Sequence, residues 1–210
     1  MNLIQLALEH GAHKAAQISP AALRYDEKFL QACQQNVCGR YGKNYTCPPH
    51  VGDIRQLITK LQACQHVVLW QTVSKLDDSF DFEGMQAAQR QHNAITIAIA
   101  DAARAQLPDA IALGAGGCFL CHICAAQTNE PCRFPARAIS SLEAHGVDVS
   151  SIEQACDLKY MNGTNTVTYF SGLFCVQSVK VCANPLPSAR NFDIISVPSN
   201  EGGQPCEHNE

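Results

Sequence analysis

The chain has 210 residues, a formal net charge of −4, 46% hydrophobic and 16% charged residues. That composition suits a globular protein with one substantial core. The acidic balance argues against nucleic acid as a partner, because phosphate binding needs a concentrated basic surface. No run of eighteen apolar residues predicts a membrane span. The opening MNLIQLALEHGAHKAAQ lacks the charged start, apolar stretch and cleavage site of a secretory signal, so a cytoplasmic location is expected.

In chain order, Ile4, Ala7, Leu8, Ala12 and Ala15 recur at helical spacing and predict an amphipathic helix over 2–16, with Gly11 as its weak point. A second helix is expected over 21–32, after the Pro of ISPAAL, delivering Cys33. Residues 33–53 carry Gly39, Gly42, Pro48, Pro49 and Gly52 and read as loop. Ile54, Leu57, Ile58 and Leu61 predict a helix to about Ala63, and HVVLWQTV, 66–73, predicts a buried strand. LDDSFDFEG is a polar loop, and the Ala- and Gln-rich stretch 84–106 predicts the longest helix. DAIALGAGG, 109–117, predicts a strand that ends in glycines and runs straight into a cysteine motif.

Beyond Pro135, ARAISSLEAHG predicts a short helix stopped by Gly146. Ser150 and Glu153 stand at capping-box spacing ahead of another helix. TVTYFSGLFCV, 166–176, is the third strand, and the composition then shifts to Pro, Ser, Asn and Gly. The expected fold is α/β, with α+β as the alternative: a small layered sheet of about three or more strands, flanking helices and two cysteine-rich metal-binding loops. One metal-binding domain is expected over 1–183, with a peripheral or disordered tail over 184–210.

Twelve cysteines are the anomaly. In a reducing compartment, clustered cysteines hold metal or do redox chemistry rather than form disulfides. Cys118, Cys121 and Cys124 follow the Cys-x2-Cys-x2-Cys spacing that lets one tight loop grip three corners of a four-iron four-sulfur cubane. Cys132, just after Pro131, is a candidate for the fourth corner, and Cys47, just before Pro48, is the other. Zinc more often uses two separated Cys-x2-Cys pairs, so iron–sulfur is preferred over zinc. Gly116 and Gly117 either let backbone approach the metal and aim N–H groups at sulfur, or form a flexible strand end. Cys33, Cys38 and Cys47 are irregularly spaced. They fit a second cluster with one open iron, single ligands to the first site, or a zinc, against the plainer reading of three unrelated buried thiols.

The segments CGRYGKNYTCPPHVG and GGCFLCHICAAQTNEPCRFPARAISSLEAHGVDVS resemble a prokaryotic predicted metal-binding family, domain of unknown function 2284. Its pattern has a Cys…Tyr-Gly…Cys-Pro-Pro segment, a later Gly-Cys-x-Leu-Cys-x2-Cys segment, then Pro-Cys-Arg-x-Pro and Glu-Ala-x-Gly-x-Asp-Val. Both blocks occur here in order, across roughly residues 20–180. Phe119-Leu120 and Ser141-Leu142 are departures that touch no chemistry. The resemblance implies iron–sulfur or other metal binding and brings no reaction.

Around the cysteines, His122 and His50 read as exposed loop residues, with cluster tuning or proton donation as the functional alternative. Arg133, Arg137, Arg40 and Lys43 read as neutralising an anionic cluster or, for the first two, pairing with Glu143; gripping a substrate carboxylate or phosphate is the alternative. Tyr41 and Tyr45 are expected to pack over a cluster. Glu143, Asp148 and Asp157 read as surface or cap residues. Cys64, Cys156, Cys175 and Cys182 read as small hydrophobes, and Cys206 and His208 as idle tail residues. The function expected is a cytoplasmic iron–sulfur protein with one four-iron four-sulfur cluster, or two. It would pass electrons to a redox partner protein, or do reductive or sulfur-transfer chemistry on a small molecule. A zinc-binding structural or interaction module, or a metal chaperone or sensor, is the rival.

Overall fold

The run expected as a buried strand lies at the centre of the molecule. In a computed structural model, which describes residues 1–176 and the pair 195–196, it is the ten-residue strand His66–Lys75. Along it, Val67 and Leu69 point into one core and Val68 and Trp70 into another, the two-residue alternation of a strand covered on both faces. Among the described residues six strands form one sheet: β1 (Lys14–Ile18), β2 (His66–Lys75), β3 (Ile111–Gly114), β4 (Ser140–Ser141), β5 (Thr166–Cys175) and β6 (Ile195–Ser196). Their order is β4-β3-β5-β2-β1-β6. Only β3 and β4 pair in parallel; β2 and β5 pair antiparallel from His66↔Cys175 to Lys75↔Thr166. The fold is therefore a mixed α+β sheet, the second of the two expected classes.

Helices α1 (Leu3–Glu9) and α4 (Phe82–Arg104) cover one face with Leu3, Ile4, Ala7, Ile99 and Ala103. The other face is closed by α3 (Ile54–Gln62) and α5 (Ile152–Cys156), with Leu61, Leu142, Val147 and Ile152. The remaining helix, α2 (Lys28–Gln34), lies outside these cores and buries no residue. Asp53 caps α3 by accepting from the Arg55 and Gln56 N–H groups, as a helix start needs. Among the described residues no helix is long and apolar enough to cross a membrane.

Four sequence expectations are corrected. The helix predicted over 2–16 stops at Glu9, because Gly11 takes φ +100° and turns the chain. Lys14–Ile18 then pairs with β2, and Ala15 and Ala16 face opposite cores. Alanine serves there because a small side chain lets helices approach the sheet closely. The helix predicted over 21–32 is a 3-10 turn, Pro20–Ala22, an extended link bridged from Tyr25 to Val147, and then α2. The helix predicted in ARAISSLEAHG is β4 followed by a 3-10 turn, Glu143–His145, ended by Gly146 at φ +77°. The Ser150–Glu153 capping box does not form: Asp148 caps through the Ser150 N–H, and Glu153 accepts from the Tyr160 N–H. The tail expected over 184–210 lies outside the described residues except for β6, and Cys182, Cys206 and His208 lie outside them too.

A polar seam runs between α4 and the sheet. His92 is fully buried, its Nε2 2.6 Å from Ser171 Oγ and its Nδ1 2.9 Å from Thr72 Oγ1, and Thr96 Oγ1 is 2.8 Å from Ser171 Oγ. Burial lowers its pKa to about 4, and burial lowers that of His145 likewise to about 4. Both are neutral in the fold and take protons on unfolding. Stability is therefore full above the unfolded pKa of about 6.5 and is lost as pH falls toward 4. Each histidine is expected to remove up to about 3 kcal/mol across that window, from its shift at about 1.4 kcal/mol per unit. Denaturant melts between pH 7.5 and 4 should show this loss, and His92→Gln should flatten part of it.

Candidate metal centre

Strand β3 ends where the cysteine motif begins, and α4 fixes the exit. Asn93 receives the Ala115 N–H on Oδ1 at 3.2 Å and returns Nδ2 to the Ala115 carbonyl at 2.9 Å. Gly116 then turns the chain at φ +71°. At Gly117 a Cβ would stand 2.9 Å from Arg40 Cδ and 3.2 Å from Cys47 Sγ, so glycine is what lets the two cysteine segments close on each other.

The next residue, Cys118, has both backbone groups held by the first segment. Its N–H donates to Thr46 Oγ1 at 3.0 Å, and its carbonyl accepts from Asn44 Nδ2 at 2.9 Å and Arg40 Nη1 at 3.2 Å. Asn44 Oδ1 accepts from the Thr46 N–H and hydroxyl, both at 3.1 Å, and the Thr46 carbonyl accepts from Ser140 Oγ on β4 at 2.7 Å. Asn44 and Thr46 are both buried. Sequence reading passed over them; the available signal was two hydrogen-bonding side chains inside a Pro- and Gly-rich loop beside a cysteine.

Cys118, Cys121, Cys124 and Cys132 line one cavity, with Asn44, Thr46 and Arg133 also on its wall and no carboxylate. All four are half-buried and free. Burial pushes the Cys118 thiol up, and the neighbouring Cys121, Cys132 and Cys124 add to it, while the Leu120 N–H turned toward its sulfur pulls the other way. Burial disfavours a thiolate, and a bound cation is the partner that reverses this. Among the described residues no three Cys, His, Asp or Glu side chains converge on a single-ion position; what the four cysteines share is the wall of one cavity. A carboxylate-free ring of thiols with an N–H aimed at one sulfur suits a thiophilic metal or cluster.

The first segment adjoins that cavity: Cys38 lines a groove with Cys118, Cys121 and Cys124. Cys33 lies in the last turn of α2, Asn36 takes φ +55° and receives the Tyr41 N–H on its side chain, and Cys38 is exposed in the turn between them. Burial pushes the Cys47 thiol up to about 11, with Cys38 and Cys33 adding to it and Thr46 and Arg40 opposing. Burial, Cys38 and Glu143 push Cys33 up. Cys47 thus feels the field of Cys38 and Cys33, and Cys118 that of Cys121, Cys132 and Cys124.

Several neighbours differ from expectation. Arg133 pairs with Glu130 at 3.5 Å and Arg137 with Asp101 at 3.1 Å, so neither pairs with Glu143. Glu143 is not a surface acid: it is half-buried beside Cys33, and burial raises its pKa. Tyr45 lines the four-thiol cavity and donates its hydroxyl to the Glu130 carbonyl at 2.7 Å. His122 is exposed, as is His50, whose Nε2 lies 3.1 Å from the Gly42 carbonyl. Asp148 and Asp157 sit at helix ends, Asp157 at φ +54°. Cys64, Cys156 and Cys175 are buried in the cores as small hydrophobes.

A family model described as "predicted metal-binding protein (DUF2284)" matches residues 16–175, a span that includes all seven of these cysteines. No curated protein and no solved structure gives a significant match.

Asn44 is the residue whose loss separates the two segments. Asn44→Ala removes the bond to the Cys118 carbonyl and strands the buried Thr46 N–H, and is expected to cost about 1–3 kcal/mol. Denaturant unfolding reads the stability, and metal analysis of the same protein reads whether its metal content falls with it.

Proposed function

The chain belongs to the predicted metal-binding family DUF2284, and from that premise we propose that it is an iron–sulfur protein. A four-iron four-sulfur cluster is held by Cys118, Cys121, Cys124 and Cys132, and a second metal centre by Cys33, Cys38 and Cys47. The observation that carries this reading is the shared cavity: the three thiols of Cys-x2-Cys-x2-Cys and the later Cys132 stand around one space. A loop with that spacing presents its thiolates to three corners of a cubane. Cys132 shares the wall of that cavity and Cys47 does not, which supports Cys132 as the fourth ligand.

A bound cluster supplies one-electron chemistry, or a Lewis-acidic iron where a coordination position is left open. The protein's own residues do the rest. Asn44, Thr46 and Arg40 fix the Cys118 backbone, Asn93 fixes the strand that leads to it, and the Leu120 N–H favours negative charge on sulfur. Among the described residues the second set has three thiols, which favours reductive or sulfur-transfer chemistry on a small molecule there, with electrons entering from a redox partner protein.

Anaerobic purification with iron, acid-labile sulfide and zinc counts tests the proposal. About four irons per chain is expected for one cubane and about seven or eight if both sets carry clusters. Cys132→Ser should abolish the cubane, whereas Cys47→Ser should leave it and deplete only the second centre. A colourless protein with stoichiometric zinc and no sulfide sinks the iron–sulfur reading and favours a zinc-held module.

A further inference from the structure

A groove of about 260 Å3 opens between the two cysteine segments and shares Asn44, Cys118, Cys121 and Cys124 with the four-thiol cavity. Cys38, Arg40 and Lys43 line it from the first segment, and Cys121, His122 and Gln127 from the second. No Asp or Glu lines it. Among the described residues neither Arg40 nor Lys43 has a carboxylate within ion-pair distance, whereas Arg133, Arg137, Arg104, Arg24, Arg55 and Lys28 all do.

The arrangement has a direction. Arg40 is held over the Phe119 ring, 4.0 Å from its centroid, and by its bond to the Cys118 carbonyl, so its charge is fixed at the groove wall. Lys43 is exposed and carries no hydrogen bond from its ammonium to any described residue's side chain, which leaves its three donors for a guest. The four-thiol cavity has its own cation, Arg133, and neither Arg40 nor Lys43 is on its wall.

We propose that this groove binds a small oxyanion or carboxylate, held by Lys43 and Arg40 with His122 and Gln127 as further polar contacts. Its volume is just below the roughly 300–1,000 Å3 of pockets for drug-sized ligands, so the guest is a compact metabolite and not a polymer. Bound there, the anion lies between the exposed Cys38 and the Cys121 wall, where both cysteine sets are within reach. The place of this guest in any reaction rests on the metal-site reading above; its binding rests only on the groove cations.

Calorimetric titration of the full chain as purified, at low ionic strength, with inorganic phosphate, sulfite and oxalate as separate probes, tests the proposal. Saturable one-to-one binding of at least one probe is expected, weakened about tenfold by Lys43→Gln, the loss of one charge-assisted contact. Lys75→Gln, which removes an exposed charge at the end of β2, should change the affinity less than about twofold, as screened distant charges do. Absence of saturable binding by all three probes overturns the proposal, as does equal weakening by Lys43→Gln and Lys75→Gln. Iron and sulfide counts on the same samples keep the two readings apart. Anion binding without iron would sink the cluster assignment alone, and iron without anion binding would sink this inference alone.

Discussion

The site depends on a buried amide. Asn44 lies in a loop that contains no regular structure, yet its side chain ties Thr46 to the Cys118 carbonyl, and Thr46 in turn receives the Cys118 N–H. These are contacts between residues more than seventy positions apart in the chain. Loops rich in Gly and Pro have little hydrophobic surface with which to hold a position. Here the holding is done by polar groups that, once buried, each cost about 1–3 kcal/mol to leave unpaired. The same cost that makes such groups dangerous in a core makes them selective: only one docking of the two loops satisfies all of them.

The sheet supplies the other half of that rigidity. Asn93 on α4 holds both backbone groups of Ala115 at the end of β3, and Asn44 and Thr46 together hold those of Cys118 three residues later. Between them stand Gly116 and Gly117, one turning through the left-handed region and the other admitting Arg40 and Cys47 against its backbone. The cysteine loop is thus anchored at its start, through the sheet, to both hydrophobic cores. Ser140 on β4 extends the anchoring by reaching the Thr46 carbonyl. A site built this way keeps its thiol geometry through changes at its exposed rim, where Phe119, Ile123 and Phe134 face solvent.

How much of this was legible in the sequence follows from the range of the forces involved. β2 and β5 were readable because both faces are buried and β-branched or aromatic residues fill them, α3 because its apolar positions recur at helical spacing, and α4 because it is rich in Ala and Gln. β1 was misread because Lys-Ala-Ala-Gln-Ile carries the residues of a helix, and only its pairing with β2 makes it a strand. β4 is two residues whose existence depends on β3, and Glu143 was misread because its burial comes from the packing of α2 against the turn that bears it. Ligand spacing inside one loop is a local property, so Cys118, Cys121 and Cys124 could be grouped from sequence. The allocation of Cys47 and Cys132 is a property of how two loops dock, and no local pattern encodes it.

That docking also sets the two cysteine sets apart chemically. The later set is four thiols lining one small cavity with Arg133 on its wall, and three of them, Cys118, Cys121 and Cys124, also line the open groove. The earlier set is three thiols that span a range of exposure, from the half-buried Cys47 to the exposed Cys38, with a half-buried carboxyl, Glu143, beside Cys33. Metal held by the earlier set would meet solvent on one side and the cationic groove on the same side. The two sets therefore share the wall of that groove. On the proposed reading, the short path between them runs past Gly117, where Cys47 lies against the backbone that leads into Cys118. A Cβ at that position would stand 2.9 Å from Arg40 Cδ and 3.2 Å from Cys47 Sγ, so the close approach of the two segments favours glycine there.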